Sequence, residues 1–126
     1  MIFDTDVLIY VQRGNRKAAD EVDAANERSL SIQSYMELLQ CANNKSQHRQ
    51  IKEFLSDYGF AILHLSENIG HRASIYIEEY GLSSGLRAGD ALIAATATEN
   101  NMTLVTANAK HFKLIKELEI KIFKPT

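Results

Sequence analysis

Apolar residues recur along the chain in short clusters, and their spacing switches between strand-like runs and helical periodicity. Residues 1–3 form an apolar run that ends at Asp4, which predicts a short buried strand with an acid at its carboxyl end. Residues 7–11 continue apolar and predict the start of a helix, with Asp4, Thr5 or Asp6 available to cap it. Residues 16–27, rich in alanine and charge, predict an exposed helix, and residues 29–32 a second strand. Ser34 followed by Glu37 has capping-box spacing, so a helix is expected from Ser34, with Met36, Leu38 and Leu39 on its apolar face. Ile51, Phe54, Leu55 and Tyr58 fall at helical spacing in residues 47–58, and Gly59 closes that segment.

Residues 60–65 predict a third strand. Ser66 caps a helix running to Tyr80, with Ile69, Ala73, Tyr76 and Ile77 inward and Gly81 as its stop. A polar loop over residues 83–89 leads into a strongly helical segment, 90–99. Residues 103–106 predict a strand, 108–118 a helix and 120–123 a last short strand. Strands alternate with helices throughout, which predicts an α/β fold on a mainly parallel sheet. In such sheets ligands gather beyond the carboxyl ends of the strands, and Asp4 and Asn108 both follow a strand there.

Composition narrows the classes. With 126 residues, one domain is expected. Apolar residues make up 45% and charged residues 24%, as in ordinary globular proteins. No apolar run approaches the roughly 20 residues of a membrane span, and the amino end lacks the pattern of a secretion signal. The one cysteine, Cys41, has no internal partner and reads as a small core residue. A reducing cytoplasm is the expected location.

A net charge of −2 argues against a general nucleic-acid binder. Its distribution is uneven, however. Residues 1–99 carry 9 Lys/Arg and 14 Asp/Glu, a net of −5, whereas residues 100–126 carry 5 and 2, a net of +3. Lys110, Lys113, Lys116, Lys121 and Lys124 are thus a basic tail on an acidic body. The tail suits either an ordinary solvated surface or a surface that steers phosphate toward an acidic site.

Four polar residues stand just after a strand or in the first turn of a helix: Asp4, Glu37, Asp90 and Asn108. Each alone has a helix-capping explanation. Gathered together, three carboxylates would repel, so their pKa values would rise or a cation would join them. An all-oxygen set of Asp, Glu and Asn is hard and suits Mg²⁺ or Mn²⁺. Phosphodiester hydrolysis is the reaction such a site serves best.

Four segments carry a family resemblance. Phe3-Asp4-Thr5-Asp6-Val7-Leu8-Ile9-Tyr10 resembles the opening motif of PIN-domain nucleases, and Ser34-Tyr35-Met36-Glu37-Leu38 their second. Gly89-Asp90-Ala91-Leu92-Ile93-Ala94-Ala95-Thr96-Ala97 resembles the third and is the most specific. Leu104-Val105-Thr106-Ala107-Asn108, followed by Lys110-His111-Phe112, resembles the fourth. Their order and close spacing are most similar to VapC-type toxins of toxin–antitoxin pairs. The resemblance implies a three-layer α/β/α PIN-like fold over residues 1–126 and a Mg²⁺- or Mn²⁺-dependent endoribonuclease. It implies that Asp4, Glu37 and Asp90 hold the metal, and that the partners are an RNA substrate, a cognate antitoxin protein and a second copy of the chain.

Two positions depart from that pattern. The fourth motif often carries Asp where this chain has Asn108, whose carboxamide oxygen can bond a metal-bound water but brings no charge. Asp6 stands where Asn or Ser is common; it either restores that charge or caps the following helix. Thr106 is expected to help order the site through its hydroxyl, with Thr5 a weaker candidate. Arg87 is a candidate for phosphate contact or a surface ion pair, and His111 is read as a packing or surface residue.

Two rival readings exist. Asp4-Thr5-Asp6-Val7-Leu8 also satisfies the Asp-x-Asp opening of haloacid-dehalogenase-type phosphatases, in which Asp4 would be a nucleophile. Those enzymes need a later paired-acid motif, and after Asp90 no acid occurs until Glu99. The other rival is a catalytically inactive PIN-like module that binds RNA or protein; the presence of all three carboxylates argues against it.

Overall fold

A computed structural model describes residues 1–126. The elements run β1 (Ile2–Phe3), α1 (Thr5–Gln12), α2 (Arg16–Ala24), β2 (Ser29–Ser31), α3 (Ile32–Gln40) and α4 (Lys45–Asp57). They continue β3 (Ala61–Leu63), α5 (Glu67–Ser84), α6 (Ala88–Glu99), β4 (Leu104–Thr106), α7 (Ala109–Phe112) and β5 (Ile120–Ile122). The five strands form one sheet in the order β3-β2-β1-β4-β5, and every pairing is parallel. No helix is long and apolar enough to cross a membrane.

Strand alternation creates the layers. Ile2 and Leu104 point to one face, where they pack with Ile69, Ala73 and Tyr76 of α5 and with Ile93, Ala94 and Ala97 of α6. Phe3, Leu30 and Val105 point to the other face, against Val7, Leu8, Val22, Leu38, Ile51 and Leu55 of α1 to α4. The result is a three-layer α/β/α fold. The central strands are buried on both faces, so they read as continuous apolar runs. Strand order reverses across the β1–β4 pair, which opens a crevice beyond the carboxyl ends of those two strands.

Local chemistry moves several boundaries. α3 begins earlier than the Ser34 capping box implies: Ser31 is the cap, and its hydroxyl accepts from the Ser34 N–H at 2.9 Å. Glu37 is therefore not a capping-box partner, and Met36 faces solvent. α5 passes through Gly81 and stops at Gly85, which takes the left-handed conformation (φ 73°) that a terminating residue needs. The helix expected over residues 108–118 is a single turn. Phe112, Ile115 and Leu118 are buried at three-residue spacing. Successive bonds from Ile115 N to Phe112 O and from Leu118 N to Ile115 O hold tight turns in place of an α-helix. Cys41 is exposed rather than in the core, at an open groove lined also by Ile9, Leu38, Ile51 and Phe54.

Candidate active site

The crevice at β1 and β4 receives its acids from three layers of structure. Asp4 leaves β1 and caps α1, accepting the Thr5 N–H at 2.8 Å. Its other oxygen accepts the Thr106 hydroxyl at 2.7 Å from the end of β4. Asp4 is buried, and burial together with the Asp6 carboxylate pushes its pKa up to about 7. The bonds from Thr106 and Thr5 oppose that rise.

Asp6, in the first turn of α1, bridges to the same strand end. Its Oδ2 accepts the Ala107 N–H at 3.2 Å. Its Oδ1 is buried and makes no hydrogen bond. Burial raises its pKa, the nearby Val7 and Ala107 amides ease the charge, and the Asp90 carboxylate raises it again. Asp4 thus feels the charges of Asp6 and Asp90, and Asp6 that of Asp90.

Glu37 comes from α3. Gln33, one turn earlier, donates to its Oε2 at 3.1 Å. The Thr5 hydroxyl lies 2.5 Å from Glu37 Oε1 and 2.9 Å from the Ser34 hydroxyl. Thr5 has one proton to give and a carboxylate can only accept, so Glu37 receives it and Ser34 donates in turn to Thr5. Gly89 lets α3 approach α6 here. A Cβ on Gly89 would lie 3.0 Å from both Gln33 Nε2 and Glu37 Oε2. The residue next to Asp90 is thereby set against the head of Glu37.

Asp90 lies in the first turn of α6 and accepts the Arg87 N–H at 3.2 Å. His111 Nδ1 lies 3.3 Å from the same oxygen. The Arg87 side chain is exposed and makes no ion pair. Asn108 is exposed, and its side chain meets His111 at 3.0 Å. Its backbone N–H donates to the Thr106 hydroxyl at 3.0 Å.

Of the residues the sequence singled out, Asp4, Asp6, Thr106 and the Asn108 backbone come together at the ends of β1 and β4, Glu37 and Asp90 stand beside them on α3 and α6, and the side chains of Asn108 and Arg87 are exposed. Sequence reasoning missed Gln33 and Ser31, whose polar heads have no motif of their own, and the close approach at Gly89, and it read Ser34 as a cap where its hydroxyl instead meets Thr5. It also read His111 as a packing or surface residue, whereas the ring reaches Asp90 and Asn108. The basic tail is not uniformly free, because Lys121 pairs with Glu21 at 2.6 Å.

No three Asp, Glu, His or Cys side chains are gathered closely enough, as they stand, to hold one ion. Each acid is tethered instead by protein donors. The chemistry of the set nonetheless fits a hard divalent cation. All the donors are oxygens, Asp6 keeps a buried oxygen unpartnered, and no Lys or Arg pairs with Asp4, Asp6, Glu37 or Asp90.

Known proteins are similar to this chain in sequence and fold. The PIN domain family model matches residues 1–118. The chain is 30% identical over 123 residues to Ribonuclease VapC10 of Mycobacterium tuberculosis, covering 94% of this chain and 90% of that one. Among solved structures, a toxin–antitoxin complex from Klebsiella pneumoniae is similar with a TM-score of 0.81 and 29% identity, over 99% of this chain and 97% of that one. VapBC2 from Rickettsia felis, bound to a DNA fragment from its promoter, is similar with a TM-score of 0.79 and 25% identity, over 98% and 100%. With four ordered motifs, an all-parallel sheet and an acidic crevice at its switch point, the chain belongs to the PIN domain family.

Proposed function

We propose that residues 1–126 are one PIN domain that works as a Mg²⁺- or Mn²⁺-dependent endoribonuclease, the toxin of a pair completed by an antitoxin protein. The observation that carries this is the set of carboxylates at the β1–β4 crevice: burial raises the pKa of Asp4 and Asp6, no Lys or Arg pairs with Asp4, Asp6, Glu37 or Asp90, and one buried oxygen is left unpartnered. Its relatives support it: one is named a ribonuclease, and solved neighbours are toxin–antitoxin complexes. A second copy of the chain is the expected partner in a homodimer.

In this reading Asp4, Glu37 and Asp90 hold the cation and Asp6 adds charge beside them. When bound, the cation supplies a Lewis acid for a phosphate oxygen and a water acidified toward hydroxide. The chain's own residues prepare the site. Thr106 and the Thr5 amide keep Asp4 able to ionise despite its burial. Thr5 and Gln33 aim Glu37, and the Arg87 N–H holds Asp90 at the α6 terminus. The exposed Arg87 side chain, with Lys110 and Lys113 on and after α7, gives an approaching RNA backbone positive charge beside the acids.

The test is cleavage of single-stranded RNA by protein purified away from any antitoxin. Cutting in Mg²⁺ or Mn²⁺, its loss on chelation, and its loss in Asp4→Asn, Glu37→Gln and Asp90→Asn are expected. Failure to cut any RNA in either metal would favour an inactive binding module. Cutting that persists in chelator would remove the metal from the account.

A further inference from the structure

The stretch between β4 and β5 turns about once every three residues, so its side chains sort into three rows. Bonds from Ile115 N to Phe112 O and from Leu118 N to Ile115 O set that period, at which side chains three apart stand one above another. Phe112, Ile115 and Leu118 are the buried row. The second row, His111, Leu114 and Glu117, turns to neighbouring helices at both ends. His111 Nδ1 lies 3.3 Å from Asp90 of α6, and Glu117 accepts from Arg72 and Tyr76 of α5. The third row is Lys110, Lys113 and Lys116. All three are exposed, and none pairs with an acid.

The lysine row has two definite ends. Lys110 stands beside His111 and two residues after Asn108, at the lip of the acidic crevice. At the far end the next residue in register is Glu119, which reverses the charge and accepts the Thr103 hydroxyl at 3.2 Å. Lys121 leaves this face for α2, where it pairs with Glu21 at 2.6 Å. Steps of three residues rise roughly 5–6 Å, so single positive charges repeat at a near-constant interval from the crevice outward. A nucleic-acid strand carries one phosphate charge per nucleotide, and long lysine side chains meet such charges as points. An acidic protein segment has no such fixed interval of charge.

We propose that Lys110, Lys113 and Lys116 form a track for the phosphates of one RNA strand, leading it away from the crevice on one side of the cut. Each lysine takes one phosphate, and the track stops at Glu119. The contacts position the strand without reading its bases. The proposal deepens the nuclease reading and rests on it for the place of the cut; the lysine–phosphate contacts are testable without cleavage.

Fluorescence anisotropy of a labelled oligouridylate, with chelator present so that nothing is cut, gives binding as a function of KCl. For a single strand the log–log slope is about 0.7 per phosphate neutralised. The triple variant Lys110→Gln, Lys113→Gln, Lys116→Gln should therefore lose about 2 from that slope. A control triple, Lys17→Gln, Lys45→Gln, Lys52→Gln, removes the same charge from exposed positions on α2 and α4, across the sheet, and should keep the wild-type slope. An unchanged slope in the first triple, equal losses in both, or no binding by wild type overturns the track. In cleavage, the first triple should raise KM about 3- to 100-fold, the usual worth of three exposed ion pairs, only for RNA extended on one side of the cut. A rise for extension on either side would contradict a one-sided track. A first triple that keeps its RNA slope but loses salt-dependent binding of polyglutamate would assign the row to an acidic protein instead. Chelator-sensitive cutting with an unmoved slope overturns the track alone; row-dependent binding by a protein that cuts no RNA overturns the nuclease reading alone.

Discussion

Asp4→Asn should abolish cleavage and yet stabilise the metal-free protein above neutral pH. The folded protein holds the Asp4 proton up to about pH 7, whereas the unfolded chain releases it near 3.8. Between those values the folded state binds more protons, so stability falls as pH rises. The penalty is absent below about 3.8 and complete above about 7. At 1.36 kcal/mol per pH unit that window corresponds to at most about 4 kcal/mol. Asn removes the charge but disturbs the Thr106 bond, whose loss costs about 1–3 kcal/mol. A net gain of about 1–3 kcal/mol at pH 8 is expected, turning into a loss of about 1–3 kcal/mol near pH 4, where only the disturbed bond remains. Urea denaturation of metal-free wild type and variant across that range measures it. A variant less stable than wild type at pH 8, or a gain that ignores pH, would show that Asp4 is not held under electrostatic strain.

Thr106→Val keeps the buried shape but removes the hydroxyl that donates to Asp4 and accepts from Asn108. It should cost about 1–3 kcal/mol of stability in denaturation and move the rising limb of the pH–rate profile upward; a downward shift would contradict the role assigned to Thr106. Gly89→Ala puts a methyl 3.0 Å from the mobile heads of Gln33 and Glu37. Thermal melting should change little while RNA cleavage falls about 10-fold or more, as expected when an acid is displaced by a fraction of an ångström to one ångström; wild-type activity would show that the placement of Glu37 is not critical. Arg28 donates to the carbonyls of Val22, Asp23 and Tyr58 and so closes the ends of α2 and α4. Arg28→Ala should lose about 2 kcal/mol of stability, with cleavage per folded molecule unchanged; a selective loss of activity would tie Arg28 to the site.

The legible parts of this protein are those in which one residue's chemistry matches one local pattern. The run ending at Asp4, the alanine-rich α6 behind Asp90 and the buried β4 all announce themselves, because burial on both faces leaves only apolar residues there. The order of alternating strands and helices was enough to give the parallel sheet. What stayed hidden depends on contacts across layers. Ser34 carries a capping-box spacing, but Ser31, one residue before the helix, takes the cap and frees Ser34 for Thr5. Phe112, Ile115 and Leu118 mimic a helix face at a spacing that tight turns satisfy equally well. Gln33 and His111 are ordinary polar residues on their own turns. Only the approach of α3 to α6 at Gly89, and of α7 to Asp90, gives them partners.

The central claim is that these acids are arranged to take up a divalent cation. Mn²⁺ titration by calorimetry at pH 7, in buffers of different ionisation enthalpy, tests it most directly. The account predicts binding with release of a fraction of a proton per ion, because metal must displace the proton that Asp4 retains near neutral pH. Asp4→Asn should abolish that release and weaken binding. Absence of Mn²⁺ binding, or binding with the same affinity and proton count in Asp4→Asn, would contradict it.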